Sequence, residues 1–201
     1  MKRSYLFVAG MIALASLASC GGASTNSDEA TGGDSATVVM ENTSAEAAGT
    51  LVASANLMST ADPSEQIGTA KFYQLDSTQM RMDLVIDYKA KADSNVAVHF
   101  HEHGDCGDKG NNTHGHWNPT KENHGEWGSA AFHSGDIGNI QLDNNGHATK
   151  SVTTDRWSIT DGAANNIIGR GIIVHGGTDD YTTQPTGNSG PRSGCGVIEK
   201  Q

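Results

Sequence analysis

Nine histidines punctuate this chain, and seven of them fall between His99 and His133. Surface histidines scatter. A cluster this dense points to metal chemistry, because the neutral imidazole is a common ligand for zinc and copper. His99 and His101 stand two apart in a segment, Asn95 to His101, where they interleave with Val98 and Phe100. On a strand that spacing sends both imidazoles to one face. This is a natural start to a metal site, though a weak signal taken alone. His116, His124 and His133 follow, with Asp136 three residues after His133. Three imidazoles and a carboxylate complete a tetrahedral zinc site. His175 ends a later Ile/Val-rich stretch and can return to the His99/His101 face. Six histidines and one aspartate exceed what one four-coordinate ion needs, which points to two metals, a shared ligand being one way to hold them. The bland alternative is a His-rich loop that picks up metal adventitiously. The spread over strand ends and Gly-containing turns, instead of a tandem His tract, argues for fixed geometry.

The elements that must position these residues read as β. Met80, Met82, Leu84 and Ile86 alternate with Arg81, Asp83, Val85 and Asp87, a period of two. Leu51 to Ser59, Gln66 to Tyr73 and Asn95 to His101 read as further strands. Ile137 to Leu142 and His147 to Thr153 flank Asn144-Asn145-Gly146, a hairpin signal. Asn166 to His175 and Cys195 to Ile198 complete the set. No convincing amphipathic helix of ten residues or more is present. About eight strands in roughly 150 residues imply an all-β antiparallel sandwich or barrel. Gly104 to Asp136 and Gly176 to Gly194 carry no strand signal, and loops of that length in a compact domain are usually functional.

The rest of the chain bounds the setting. With 201 residues, 35% hydrophobic composition and a net charge of −10, it suits one modest core and excludes an integral membrane protein. Its acidity argues against nucleic acid as a partner. Lys2 and Arg3 precede an apolar run, Tyr5 to Leu17, that is too short to span a bilayer and reads as a signal-peptide core. The run ends in Leu17-Ala18-Ser19-Cys20, which is similar to the lipobox of bacterial lipoproteins. Cleavage before Cys20 with lipidation of its thiol is the preferred reading; ordinary secretory cleavage is the other. Gly21 to Gly49 has no aromatic residue, Lys or Arg and reads as a tether reaching roughly 30 Å. A short strand at Val38, Val39 and Met40 is a weaker option. The expected division is therefore 1–19 signal peptide, 20–49 anchor cysteine and linker, and 50–201 domain. The expected location is a bacterial membrane surface, periplasmic or cell-surface, with the lipid as the only membrane contact. Export permits disulfides.

With those residues in hand, the chain closely resembles the copper/zinc superoxide dismutases. The resemblance rests on His99-Phe100-His101-Glu102, Gly115-His116-Trp117-Asn118-Pro119, His124-Gly125 and His133-Ser134-Gly135-Asp136-Ile137-Gly138-Asn139. It continues through Ile167-Ile168-Gly169-Arg170, Val174-His175, Asp179-Asp180, Gly187-Asn188 and Arg192-Ser193-Gly194-Cys195-Gly196-Val197-Ile198. These segments occur in family order over 50–201 and are specific only in combination. The resemblance implies an eight-stranded Greek-key β-barrel that dismutes superoxide. It implies copper held by His99, His101, His116 and His175, and zinc held by His116, His124, His133 and Asp136, with His116 bridging. Asp179 is then the outer carboxylate that orients a ligand of each metal, and Arg192 the arginine that attracts the anion. By the same resemblance, superoxide reduces and then reoxidises the copper, leaving as oxygen and hydrogen peroxide, while His116 releases copper and takes up a proton between the two steps. Cys106 and Cys195 correspond to the family's intrachain disulfide, which leaves Cys20 for the lipid.

Some features depart from that pattern. His103 and His114 are extra imidazoles beside the ligands; they either support the ligands from outside, recruit metal or are only solvated, and solvation is the preferred reading. His147 follows the Asn-Gly turn and reads as exposed. The stretch Gly176 to Pro191 has no lysine, so Arg192 acts nearly alone unless Lys109 and Lys121 help. From Thr50 onward 18 acidic residues face 11 basic ones, net −7, and any attraction for an anion must come from a local patch. Two other functions compete. One is an exported copper- or zinc-binding protein for storage or delivery, which would need neither a bridging ligand nor an anion-attracting arginine. The other is a zinc hydrolase, for which Glu102 is the only base near the ligands. A homodimer is compatible with the chain, which does not itself reveal the assembly.

Overall fold

The computed structural model describes residues 49–201. The expected signal peptide, Cys20, the linker and the Val38–Met40 segment lie outside the described residues. Nine strands follow in chain order: β1 (Thr50–Ser59), β2 (Gln66–Gln74), β3 (Met80–Asp87), β4 (Asn95–His101), β5 (Gly138–Gln141), β6 (His147–Thr154), β7 (Gly171–His175), β8 (Arg192–Val197) and the two-residue β9 (Glu199–Lys200). All pair antiparallel in one sheet with the order β5-β4-β7-β8-β1-β2-β3-β6, and β9 pairs with β1. The connections from β3 to β4 and from β6 to β7 cross between the halves of this path, which gives the eight-stranded, nearly closed Greek-key barrel that was expected.

The alternation along β3 seats Met80, Met82, Leu84 and Ile86 in the core, with Arg81, Asp83 and Val85 on the half-exposed face. Phe72, Phe100 and Trp157 form its aromatic centre, with Phe72 edge-on to the other two rings at 5.9 and 6.1 Å between centroids. Full burial of side chains this large is worth about 1.5–3 kcal/mol each. In β4 every residue from Val96 to His101 is buried. Val96, Val98 and Phe100 join the core, and the alternate positions His99 and His101 face the other way, where the long loops cover them.

Three strand expectations are corrected. The stretch expected as a strand over Asn166–His175 is strand only from Gly171, because His101, the last residue of β4, pairs with Gly171 and nothing extends the ladder. Ile167 instead enters the core from a loop. Strand β8 begins at Arg192, three residues before the expected Cys195, because His175 of β7 pairs with Arg192. The second long loop is shortened accordingly. Asn144-Asn145-Gly146 does make a tight turn, in which Gly146 N donates to Asp143 O and Gly146 holds φ +82. A Cβ there would strike the Tyr88 carbonyl. The strands it joins do not form a hairpin ladder, however. β5 pairs with β4 and β6 pairs with β3, at opposite ends of the path. The turn spans the gap where the barrel almost closes.

Candidate metal centre

Four imidazoles meet on the face of β4 turned from the core. His99 and His101 come from β4, His175 from the end of β7, and His116 from the loop segment that bridges antiparallel to His101. All four are buried, and one ligand-capable atom of each lies within 4.8 Å of the others. His116, His124, His133 and Asp136 form a second buried group within the same limit. Only His116 belongs to both.

Hydrogen bonds decide which nitrogen of each ring faces inward. His99 donates through Nε2 to Asp179 Oδ2 at 2.7 Å, His101 through Nδ1 to His114 O at 2.9 Å, and His175 through Nδ1 to Gly190 O at 3.2 Å. With one nitrogen of each ring pinned outside, the other is left for the cluster, the usual outer-shell arrangement of ligating histidines. The Nε2 atoms of His101 and His175 lie 3.4 Å apart. His99 Nδ1 and His116 Nε2 are buried without a hydrogen-bond partner among the described residues. Such orphaned nitrogens are costly unless something binds them, and a set of neutral imidazoles suits copper or zinc. In the second group Asp136 Oδ1 accepts from His116 Nδ1 at 2.9 Å, and Oδ2 accepts from His124 Nδ1 at 3.0 Å and from the His133 backbone at 2.8 Å. His133 Nδ1 lies 3.3 Å from Oδ1. Three imidazoles and a carboxylate therefore converge, the donor set of a closed zinc site. The residues present fit both metals.

The electrostatics favour the ligating form throughout the first group and at both carboxylates. Burial holds His99, His101, His116 and His175 below the ordinary imidazole value, with His116 at about 4 and His175 at about 3, and neighbouring imidazoles push the same way. For His124 burial opposes the charge, but its bonds to Asp136 and Asp179 prevail and raise it to about 9. Burial also acts to raise Asp136 and Asp179, yet the ring N–H groups hold both carboxyls well below the usual range. The first group is thus neutral at neutral pH, the form that binds metal.

Asp179 joins the two groups from outside. Its Oδ2 takes His99 Nε2, and its Oδ1 takes His124 Nε2 at 2.9 Å and the Tyr181 N–H at 2.7 Å. Asn139 holds its backbone in both directions, Nδ2 donating to Asp179 O and Oδ1 accepting from Asp179 N. Gly187, at φ +67, leaves the space this bridge needs, since a Cβ there would collide with the Asp179 carboxylate and the His124 ring. Gln184 clamps His124 by accepting from its N and donating to its O. Glu122 pairs with Arg156 at 2.7 Å, and Arg156 also donates to Phe132 O, which ties the loop on both sides of His124. These positioning roles for Asn139, Tyr181, Gly187, Gln184, Glu122 and Arg156 were not read from the sequence. Gly187 and Asn139 stood inside quoted segments, so part of the signal was present. The Asp179→Ala variant is expected to bind both metals about 10–100-fold more weakly, measured by competition with a chromogenic chelator. Unchanged affinities would remove Asp179 from this role.

Arg192 lies at the mouth. With His101, His116, His175, Thr186, Asn188, Ser189 and Gly190 it lines a cavity of about 280 Å³. Among the described residues no lysine lines that cavity, and Arg192 is its one cation. Lys109 instead faces a separate groove beside the disulfide. The guanidinium is anchored as Nη1 donates to Gly110 O and Thr113 Oγ1, both at 2.6 Å, and Nη2 donates to His114 O at 2.5 Å. The Cys106–Cys195 disulfide forms, with Cα atoms 5.8 Å apart, and ties that same loop to β8. His147 is exposed, and its Nδ1 lies 2.6 Å from Asp87 Oδ1.

Comparisons with known proteins agree with this geometry. A family model described as Copper/zinc superoxide dismutase (SODC) matches residues 66–198. The Superoxide dismutase [Cu-Zn] 1 of Aquifex aeolicus is 32% identical over 142 residues, which span 67% of this chain and 81% of the relative. The Superoxide dismutase [Cu-Zn] of Yarrowia lipolytica is 38% identical over 143 residues, 65% and 88% of the two chains. Among solved structures, a double mutant of a SOD-like protein from Bacillus subtilis superposes with a TM-score of 0.65 at 25% identity, covering 73% of this chain and 96% of that one.

Proposed function

The chain belongs to the copper/zinc superoxide dismutase family, and on that premise we propose which of its residues carry the reaction and where the protein works. The enzyme converts two superoxide anions and two protons to oxygen and hydrogen peroxide, with copper and zinc as cofactors. His99, His101, His116 and His175 hold copper, and His116, His124, His133 and Asp136 hold zinc. The observation that carries this assignment is the convergence of two buried donor groups that share His116. Bound copper supplies a one-electron cycle between Cu(II) and Cu(I), and zinc, without redox chemistry, supplies charge and order.

The protein's own residues do the rest. Asp179 fixes the His99 and His124 rings through one carboxylate. His116 exposes Nε2 toward the first group while Asp136 holds its Nδ1, so Nε2 is the atom free to meet copper or to take up a proton. Arg192 places a fixed positive charge in a cavity lined by three of the copper-side imidazoles, within a domain of net negative charge. An anion is drawn there by that local field. The storage or delivery reading is less well supported, because it gives the anchored arginine no task.

The test couples metal content to turnover. Protein loaded with both metals should accelerate superoxide decay above free-copper controls and lose that activity on chelation. The Arg192→Glu variant should keep its metals and turn over roughly 10- to 1,000-fold more slowly, with a flattened dependence on ionic strength. Arg192→Lys should fall between. Equal rates for Arg192→Glu and the parent would show that Arg192 does not attract the substrate.

The protein is exported and anchored by a lipid on Cys20 to a bacterial membrane, at the periplasmic or outer surface, with 1–19 removed and 20–49 as the linker to a domain from residue 50. The support is the Lys2-Arg3 head, the apolar run and the Leu17-Ala18-Ser19-Cys20 sequence. Intact-mass analysis should find a lipidated Cys20 at the N-terminus, and Cys20→Ser should move the protein to the soluble fraction. A membrane-bound Cys20→Ser protein would refute the anchor.

A further inference from the structure

Beyond His101 and His116, the loop pairing that builds the copper face continues outward. Glu102 N donates to Gly115 O at 3.1 Å, and His103 N donates to Thr113 O at 3.2 Å. The second bond is one residue off the regular register, and β4 has already ended at His101. Strict alternation of sides therefore no longer separates neighbours. The His103 and His114 rings meet edge to face, with centroids 4.6 Å apart. Glu102 joins them. One ligand-capable atom from each of the three lies within 4.8 Å of the others, and all three residues are exposed.

Of the three readings open for His103 and His114, the preferred one, solvation, agrees with their exposure. Their convergence with a carboxylate goes further. We propose that Glu102, His103 and His114 form a third, solvent-facing metal site, separate from the two buried groups, that takes a divalent first-row cation. Two imidazoles and one carboxylate are the donor set of zinc sites that keep an open coordination position. Imidazole also suits copper, and the affinity order of divalent ions places Cu(II) above Zn(II) at such donors. With three protein donors in open water, the ion exchanges with solvent, unlike ions enclosed by four buried ligands. The site also touches the copper face through one residue. The His114 carbonyl accepts both His101 Nδ1–H and Arg192 Nη2–H, so an ion on the His114 ring sits on the residue that orients a copper ligand and anchors the cavity's arginine.

The experiment titrates Cu(II) chloride, with glycine as a weak competitor, into protein already holding copper and zinc at one each per chain. The parent should take up a third equivalent whose electron paramagnetic resonance spectrum shows coupling to nitrogen. In His103→Asn/His114→Asn the affinity for that equivalent should fall by at least the ~10–100-fold that losing even an outer-shell partner costs. Asparagine is chosen because it keeps a short polar side chain while removing the imidazole. His147→Asn, a control at the other exposed histidine, should keep the third equivalent. If the double variant loses its buried metals, Glu102→Gln supplies the same comparison, with a smaller expected loss. No third equivalent in the parent, or one bound equally tightly by the double variant, would overturn the proposal. Neither outcome bears on dismutation, which is read from the two buried metals.

Discussion

His116→Ala is expected to bring superoxide decay down to the level of metal-free controls. No other residue lies in both buried groups. Its ring packs 3.9 Å from that of His99, centroid to centroid, with Nδ1 on Asp136 and Nε2 turned to the copper-side imidazoles. Alanine removes one of four donors from each group at once. It also leaves Asp136, already wholly buried, without one of its three ring partners. The measurement is a superoxide decay assay on protein whose copper and zinc are quantified in the same sample. Loss of activity with both metals still bound would place the effect on the bridge itself. Loss of the metals would place it on binding. Near-parental turnover would show that the reaction does not need this residue.

Removing the disulfide should have the largest effect on stability. Cys106 and Cys195 are 89 residues apart in sequence. The chain-entropy account of so long a closed loop gives about 4–5 kcal/mol, roughly a thousandfold in the folding equilibrium. For Cys106→Ser/Cys195→Ser a denaturant titration should show a lower midpoint, with a steeper slope because the unlinked unfolded chain exposes more surface. Activity should fall as well, because the loop tied down at Cys106 supplies Gly110 O, Thr113 Oγ1 and His114 O to Arg192. An unchanged midpoint would mean that the loop is held without the covalent link.

Much of the barrel could be read from period-two patterns. β3 is the clearest case, since Met80, Met82, Leu84 and Ile86 all bury at alternate positions. Where pairing partners decided a boundary, the pattern misled. The residues before Gly171 are apolar enough for a strand, but β4 ends at His101 and offers them no ladder. Arg192-Ser193-Gly194 shows no alternation, yet β7 recruits it. The Asn145-Gly146 turn forms as its residues dictate, while closure of the barrel, which is a long-range matter, sends its flanking strands to opposite ends of the sheet.

The sequence by itself determined which chemistry was available. The types and spacing of His99, His101, His116, His124, His133, Asp136 and His175 require metal-sized neighbourhoods, and side-chain chemistry and strand periodicity are local properties. Only the tertiary structure decided the orientation of each ring, because that depends on contacts between residues far apart in the chain. Asp179 spans 80 residues to reach His99 and 55 to reach His124. Gly187 matters solely because that carboxylate passes beside it. His103 and His114, which the sequence marks only as extra imidazoles beside the ligands, face one another because the loop pairing begun at His101 and His116 runs on past the end of the strand.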